Sequence, residues 1–388
     1  MDRIAQPPRP DARARAAALG FAFAEIAGEP YWDESAHYRF TSDEVDALEA
    51  ATAELERLSR EATEHAFRRD RREALGLSPG AWALARASWE AGEPSLYGRM
   101  DLRWDGAGPP LLLEYNADTP TALYEAAVVQ WEWLQCVAPE ADQFNGLHEA
   151  LIAAWPALRL PTRRVHFCCD ADSEEDRGTV DYLRDTALQA GLEAPFLAVD
   201  HIGWDGLRGA FTDADEERIE AIFKLYPWDW LLAEDFGRHV PRAPGTRWIE
   251  PAWRMLPTGK GFLSLLWELF PGHANLLPAF REPGRTGGPE LSKPYWGREG
   301  SNVAAPGGAA PTPGPYGANP RVWQSYAELP RFGGRYPVLG SWVIAGRPAG
   351  LGIRDDDTPI TRDTSRFVPH LFMPDPDPAP DEDAPPPP

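Results

Sequence analysis

The chain has 388 residues, 43% of them hydrophobic, enough for one large domain or two interlocked ones with a substantial core. Its net charge of −22 and isoelectric point near 4.8 argue against nucleic acid or an anionic membrane surface as partner. Three cysteines, Cys136 and the vicinal Cys168-Cys169, give neither a disulfide framework nor metal spacing, and no apolar run reaches membrane-span length, so a soluble protein of the reducing cytoplasm is expected.

Residues 1–14 are rich in Pro, Arg and Ala and are expected to form a disordered leader before a folded region over 15–372. Thr41-x-x-Glu44 is a capping box that predicts a helix to about Arg69, with Val45, Leu48, Leu55 and Leu58 on its apolar face. Two alternating runs between 97 and 116, joined by Asp105-Gly-Ala-Gly-Pro-Pro110, predict a hairpin. Helices are expected over Tyr124–Cys136, Asp176–Ala190 and Lys260–Phe270, and strands over Arg164–Cys169, Ala194–Val199 and Ile219–Leu225. The stretch 281–320 is so rich in Gly and Pro that it reads as a long loop, a lid over a site. A second hairpin is expected about Gly346-Arg-Pro348, followed by a disordered Pro/Asp-rich tail over 373–388. Strands and helices mix without a regular βαβ period, which makes the class α+β.

The first hairpin carries the most chemistry. Strand alternation puts Arg99, Asp101 and Arg103 on one face, and Leu112, Glu114 and Asn116 share a face of the returning strand. Folding the hairpin brings Asp101 beside Glu114, so two carboxylates and an amide converge next to Arg99. Such hard oxygen ligands suit Mg²⁺, which takes one or two carboxylates and completes its shell with phosphate oxygens. An ordinary solvated hairpin face with a salt bridge has the same pattern.

The basic residues are unevenly chosen: of 38, only Lys224, Lys260 and Lys293 are lysine. Lysine is a compact point charge suited to single phosphate oxygens, whereas arginine presents a planar fork. Lys293 precedes Gly297-Arg298-Glu299-Gly300, a short loop whose backbone N–H groups could cover phosphates. Neither a Walker A sequence nor a strand-following G-x-G-x-x-G occurs, so P-loop and Rossmann readings fail.

Taken jointly, Tyr97-Gly-Arg-Met-Asp101, Leu113-Glu-Tyr-Asn-Ala-Asp-Thr-Pro-Thr121, Asp172-Ser-Glu-Glu-Asp-Arg-Gly-Thr179, Trp267-Glu-Leu-Phe-Pro271, Lys293-Pro-x-x-Gly-Arg-Glu-Gly300 and Leu339-Gly-Ser-Trp342 resemble the synthetase domain of the glutathionylspermidine synthase family and its stand-alone acid–amine ligases. The resemblance implies an ATP-grasp-like fold with an interlocked N-terminal, pre-ATP-grasp-type substrate region, and an ATP- and Mg²⁺-dependent ligase that joins a carboxylic acid to an amine, a polyamine among them. It implies Asp101, Glu114 and Asn116 as magnesium ligands and Arg99 as the group stabilising the transferring phosphoryl. Lys260, Lys293, Arg298, Glu299, Gly300 and Gln324 are implied as ATP contacts, with Arg99 and Asp101. Thr119 and Thr121 are implied on the acid side, Arg354 against the acyl phosphate or the acid, and Glu174 and Glu175 facing the amine. Two departures stand out: the amidase domain of bifunctional members has no room in this chain, and Thr119 and Thr121 replace serines. Lys224 receives no role. The alternative is a catalytically degenerate protein of the same fold that binds ATP as a sensor or scaffold.

Overall fold

The computed structural model describes residues 1–26, 28–306, 311–362 and 364–373; apart from residue 373, the expected tail lies outside the described residues. The protein is built about a five-stranded antiparallel sheet whose strands run in the order 366–368, 347–356, 336–344, 97–103 and 111–116. Tyr336–Ile344 lies inside this sheet and is buried along nearly its whole length, as the run Val338, Leu339, Trp342, Val343, Ile344 requires of a strand covered on both faces. One face meets the helix Ser42–Arg68, which buries Leu48, Leu55, Leu58 and Ala62. That helix starts where the capping box places it: Thr41 accepts from the Glu44 N–H at 3.2 Å and Glu44 from the Thr41 N–H at 2.9 Å. On the opposite face, Tyr97, Trp342 and Ile344 join a second core with the helix Leu147–Ala157.

A four-stranded parallel sheet stands beside it, in the order 247–249, 221–225, 166–169 and 196–198. The helix Glu174–Gln189 is the crossover between two of its strands, so one βαβ unit is present although the sequence shows no regular βαβ period. Three of its strands fall where they are expected, while Arg247–Ile249, only three residues long, leaves too little periodic signal to read.

Two expectations are corrected. Residues 1–14 are ordered: Asp2–Ala5 pairs antiparallel with Ala36–Phe40, which pairs in parallel with His370–Phe372. Their arginines supply counter-charges to buried carboxylates, Arg3 to Asp355 at 2.8 Å and Arg9 to Glu34 at 2.7 Å. The stretch 281–320 is not structureless either. Within it Glu290–Pro294 forms a strand, paired with Arg321–Ser325, which also pairs with Ala279–Phe280. Among the described residues, no helix is long and apolar enough to cross a membrane.

Candidate active site

The hairpin register is Arg99 opposite Asn116 and Asp101 opposite Glu114, the pairing that alternation predicts. Beyond it the register slips: Leu102 faces Leu112, leaving Leu113 as the extra residue of a bulge. The bulge reverses part of the sequence reading. Leu112 turns to the core with Leu102, both nearly inaccessible, and not to the face of Glu114. Leu113 lines the cleft, and its carbonyl accepts from Lys293 Nζ at 2.9 Å.

The polar side chains form one network. Arg99 Nε donates to Asp101 Oδ1 at 2.7 Å, and its Nη1 to the Thr121 carbonyl at 2.6 Å. Asp101 Oδ2 also receives Arg354 Nη2 at 3.1 Å and Asn116 Nδ2 at 3.2 Å. Asn116 Nδ2 lies 3.4 Å from Glu114 Oε1, while Lys260 Nζ lies 3.2 Å from Glu114 Oε2 and 2.7 Å from the Gly297 carbonyl. Burial opposes ionisation of Glu114, but Lys260 and Lys293 outweigh it and hold the carboxyl down at about 2. Burial in turn lowers the Lys293 ammonium to about 8, an effect that Glu114 opposes and Lys260 reinforces. Three oxygen-bearing side chains thus meet at one point, with two lysines on one flank and two arginines on the other.

This network floors a cleft of about 290 Å³ with three walls. The antiparallel sheet supplies Arg99, Asp101, Glu114, Asn116 and Arg354. The carboxyl end of the parallel strand Ala221–Leu225 supplies Leu225 and, just beyond it, Pro227 and Trp230; in open α/β sheets this end is where ligands bind. The third wall is Leu291, Lys293 and the loop 295–300, which meets Pro359–Thr361 across the opening. Contact there is close: a Cβ on Gly300, whose φ is +66°, would lie 2.6 Å from the Thr361 carbonyl. Arg298 is folded back onto Asp229 at 2.5 Å and stacks 4.9 Å from the Trp230 ring.

The structure brings Arg99, Asp101, Glu114, Asn116, Thr119, Thr121, Lys260, Lys293, Arg298, Glu299, Gly300 and Arg354 to this one cleft. Three residues singled out in the sequence stand apart from its lining. Gln324 is buried behind the strand, donating to the Leu112 carbonyl at 3.1 Å; the residues that follow it, Tyr326, Ala327 and Leu329, reach the cleft instead. Glu174 and Glu175 do not line the cleft, whereas their neighbour Asp176 does. The resemblance pointed to Glu174 and Glu175; which of three consecutive acids meets the cleft is set by how the helix packs, and no local pattern shows it. Sequence reading also missed the apolar lining of Leu291, Trp296 and Trp230, for which no local pattern exists.

Gly340 lets Arg99 cross the sheet, since a Cβ there would lie 2.8 Å from Arg99 Cδ. Gly340→Ala is expected to push Arg99 off Asp101 and lower stability by about 1–3 kcal/mol in a denaturant melt; an unchanged melt would show that the sheet absorbs the methyl group without moving Arg99.

A mixed α/β fold thus places paired lysines, arginines and carboxylates around one cleft, a lining suited to binding a charged ligand. The family model "Glutathionylspermidine synthase preATP-grasp" matches residues 3–373. A Haemophilus influenzae protein named "Putative acid--amine ligase" is 38% identical, over 95% of this chain and 98% of that protein. The chain belongs to the glutathionylspermidine synthase family, one of ATP-dependent ligases. The "Trypanothione synthetase" of Crithidia fasciculata and the "Bifunctional glutathionylspermidine synthetase/amidase" of Escherichia coli are each 27% identical, over 74% and 87% of this chain; the matches span only 49% and 59% of those longer proteins. Among solved structures, a glutathione synthetase-like effector from Globodera pallida aligns over 95% of this chain with a TM-score of 0.58 at 11% identity, which shows a shared fold.

Proposed function

We propose that this protein is an ATP- and Mg²⁺-dependent ligase that joins a carboxylic acid to an amine through an acyl phosphate. The observation that carries the reading is the meeting of Asp101, Glu114 and Asn116 with Lys260, Lys293, Arg99 and Arg354 in one cleft, in a chain whose relatives bear ligase names. The oxygen-bearing trio fits a magnesium ion, which needs only one or two carboxylates beside phosphate oxygens. When bound, that ion neutralises charge on the nucleotide phosphates.

The chain's own residues do the rest. Lys260 and Lys293 face the phosphates from the flank of Glu114 and give up their present carbonyl and carboxylate partners to do so. The loop 296–300 covers them and excludes water, which strengthens each charge contact. The leucine and aromatic lining offered by Leu291, Tyr326 and Leu329 suits a nucleobase. Arg354 and Thr119 and Thr121 hold the acid so that its carboxylate oxygen attacks the γ-phosphorus. Arg99, fixed by Asp101 and the Thr121 carbonyl, stabilises the charge that develops on the phosphoryl group. A carboxylate is a poor electrophile until phosphorylation gives it a leaving group, and the protein's part in that step is positioning and charge stabilisation.

The test is ADP release by the purified protein with ATP, Mg²⁺ and a panel of acids and amines that includes glutathione and spermidine, the pair in the names of its relatives. Release that requires an acid and an amine together supports the ligase. Tight ATP binding with no turnover across the panel would favour a sensor or scaffold. Hydroxylamine trapping without any amide product would mark an enzyme that stops at phosphorylation.

A further inference from the structure

We infer that Asp176 is the general base for the amine half-reaction, the carboxylate that meets the ammonium substrate and takes its proton. The inference rests on the ligase reading above. Of the three acids that open the helix Glu174–Gln189, Asp176 is the one that lines the cleft, as Arg99, Thr119 and Thr121 do. Its helix follows directly from the strand His166–Cys169, so Asp176 stands at the carboxyl end of the parallel sheet.

The surroundings are anionic. Glu175 on the same helix, Asp170 in the preceding turn and Glu299 on the covering loop all act on Asp176; the Ser173 hydroxyl favours its ionised form, and Tyr97 and Cys169 feel its charge from the two sheets. Behind this cluster, one turn after Thr121, Glu125 is fully buried. Its Oε1 accepts from the Tyr31 hydroxyl at 2.7 Å and its Oε2 is without a partner. The lysines act on Glu114 and this acid group on Asp176, so the cleft is cationic beside Glu114 and anionic beside Asp176. Burial, followed by Glu175, raises Asp176 to about 7, close to the value at which a base works best near neutral pH.

The step balances. The acyl phosphate and a protonated amine enter. Asp176 removes one proton, the freed nitrogen lone pair forms the C–N bond, and the acyl C–O bond breaks with its electron pair leaving on phosphate. The second nitrogen proton goes to the departing phosphate, giving amide, hydrogen phosphate and protonated Asp176.

Asp176→Asn keeps the size of the side chain and its place in the helix. The wild-type and variant enzymes would be assayed with ATP, Mg²⁺ and a panel of small peptide acids including glutathione, with spermidine or hydroxylamine as the amine. Hydroxylamine is uncharged at neutral pH and needs no base. The expected result is hydroxamate formation within about threefold of wild type and spermidine amide formation reduced by about 100-fold or more. In the wild type the amide rate should fall as pH drops below about 7, because a carboxyl raised to that value becomes protonated; in the variant this limb should vanish. Equal loss with both amines would make Asp176 a structural residue, and unchanged amide formation would remove it from the reaction; either overturns the assignment. A wild-type enzyme that forms no hydroxamate overturns the ligase reading and this one with it.

Discussion

Replacing Lys260 and Lys293 together by alanine is expected to weaken ATP binding by at least about 100-fold, since each charge-assisted phosphate contact is worth about 1.5–3 kcal/mol. The protein should remain folded. Both ammonium groups lie in the cleft and bond mainly to the Gly297 and Leu113 carbonyls and to Glu114, so their loss opens the site without cutting the core. Isothermal titration with ATP and Mg²⁺, alongside a urea melt, separates the two quantities. Wild-type ATP affinity in the double variant would show that the nucleotide lies elsewhere. The single variants should differ in their effect on Glu114, because Lys260 contributes both a Coulombic attraction and a hydrogen bond while Lys293 contributes attraction alone.

Lys224→Met is expected to cost about 3–5 kcal/mol, the range for breaking a buried ion pair by removing one partner. Lys224 is fully inaccessible and lies 2.5 Å from Asp118, itself 2% exposed, with the Trp228 ring 4.7 Å from the ammonium. Removing the ammonium leaves the Asp118 carboxylate buried beside a single remaining donor, the Trp228 N–H at 2.8 Å. Lys224→Met/Asp118→Leu should recover part of that loss by removing the orphaned charge, but not all, because the Trp228 N–H then has no acceptor and costs about 1–3 kcal/mol. Urea denaturation of the wild type, Lys224→Met, Asp118→Leu and the double variant measures the cycle; additive losses would show that the two groups do not interact. The pair also bears on function. Asp118 directly precedes Thr119, so Lys224 ties the turn 118–121 at the cleft to the parallel sheet, and the third lysine of the sequence acquires a structural role.

How much of this was legible beforehand depends on the range of each interaction. The capping box, the apolar face of Ser42–Arg68 and the Asp101–Glu114 pairing all follow from periodicity within a few residues, and each appears in the structure as read. The bulge at Leu113 did not announce itself: a single extra residue reverses the facing of everything beyond it, and Leu112 satisfies the alternation equally well on either side. The leader was misread because composition reports the lack of a local core. Its order comes from Arg3 and Arg9 reaching carboxylates supplied by distant parts of the chain.

By itself the sequence determined the mixed class, the hairpin that carries the carboxylates and amide, the lysine before the glycine loop and, through its joint motifs, the family. The tertiary structure decided which of those residues share a space. It placed Lys224 against Asp118, 106 positions away, brought Asp176 and not Glu174 to the cleft wall, and set Gln324 behind the residues that line it. Faces of helices and strands are written in the chain at periods of 3.6 and 2. The partner that each face meets is fixed only when the layers pack, because burial and charge pairing act between segments that no local pattern connects.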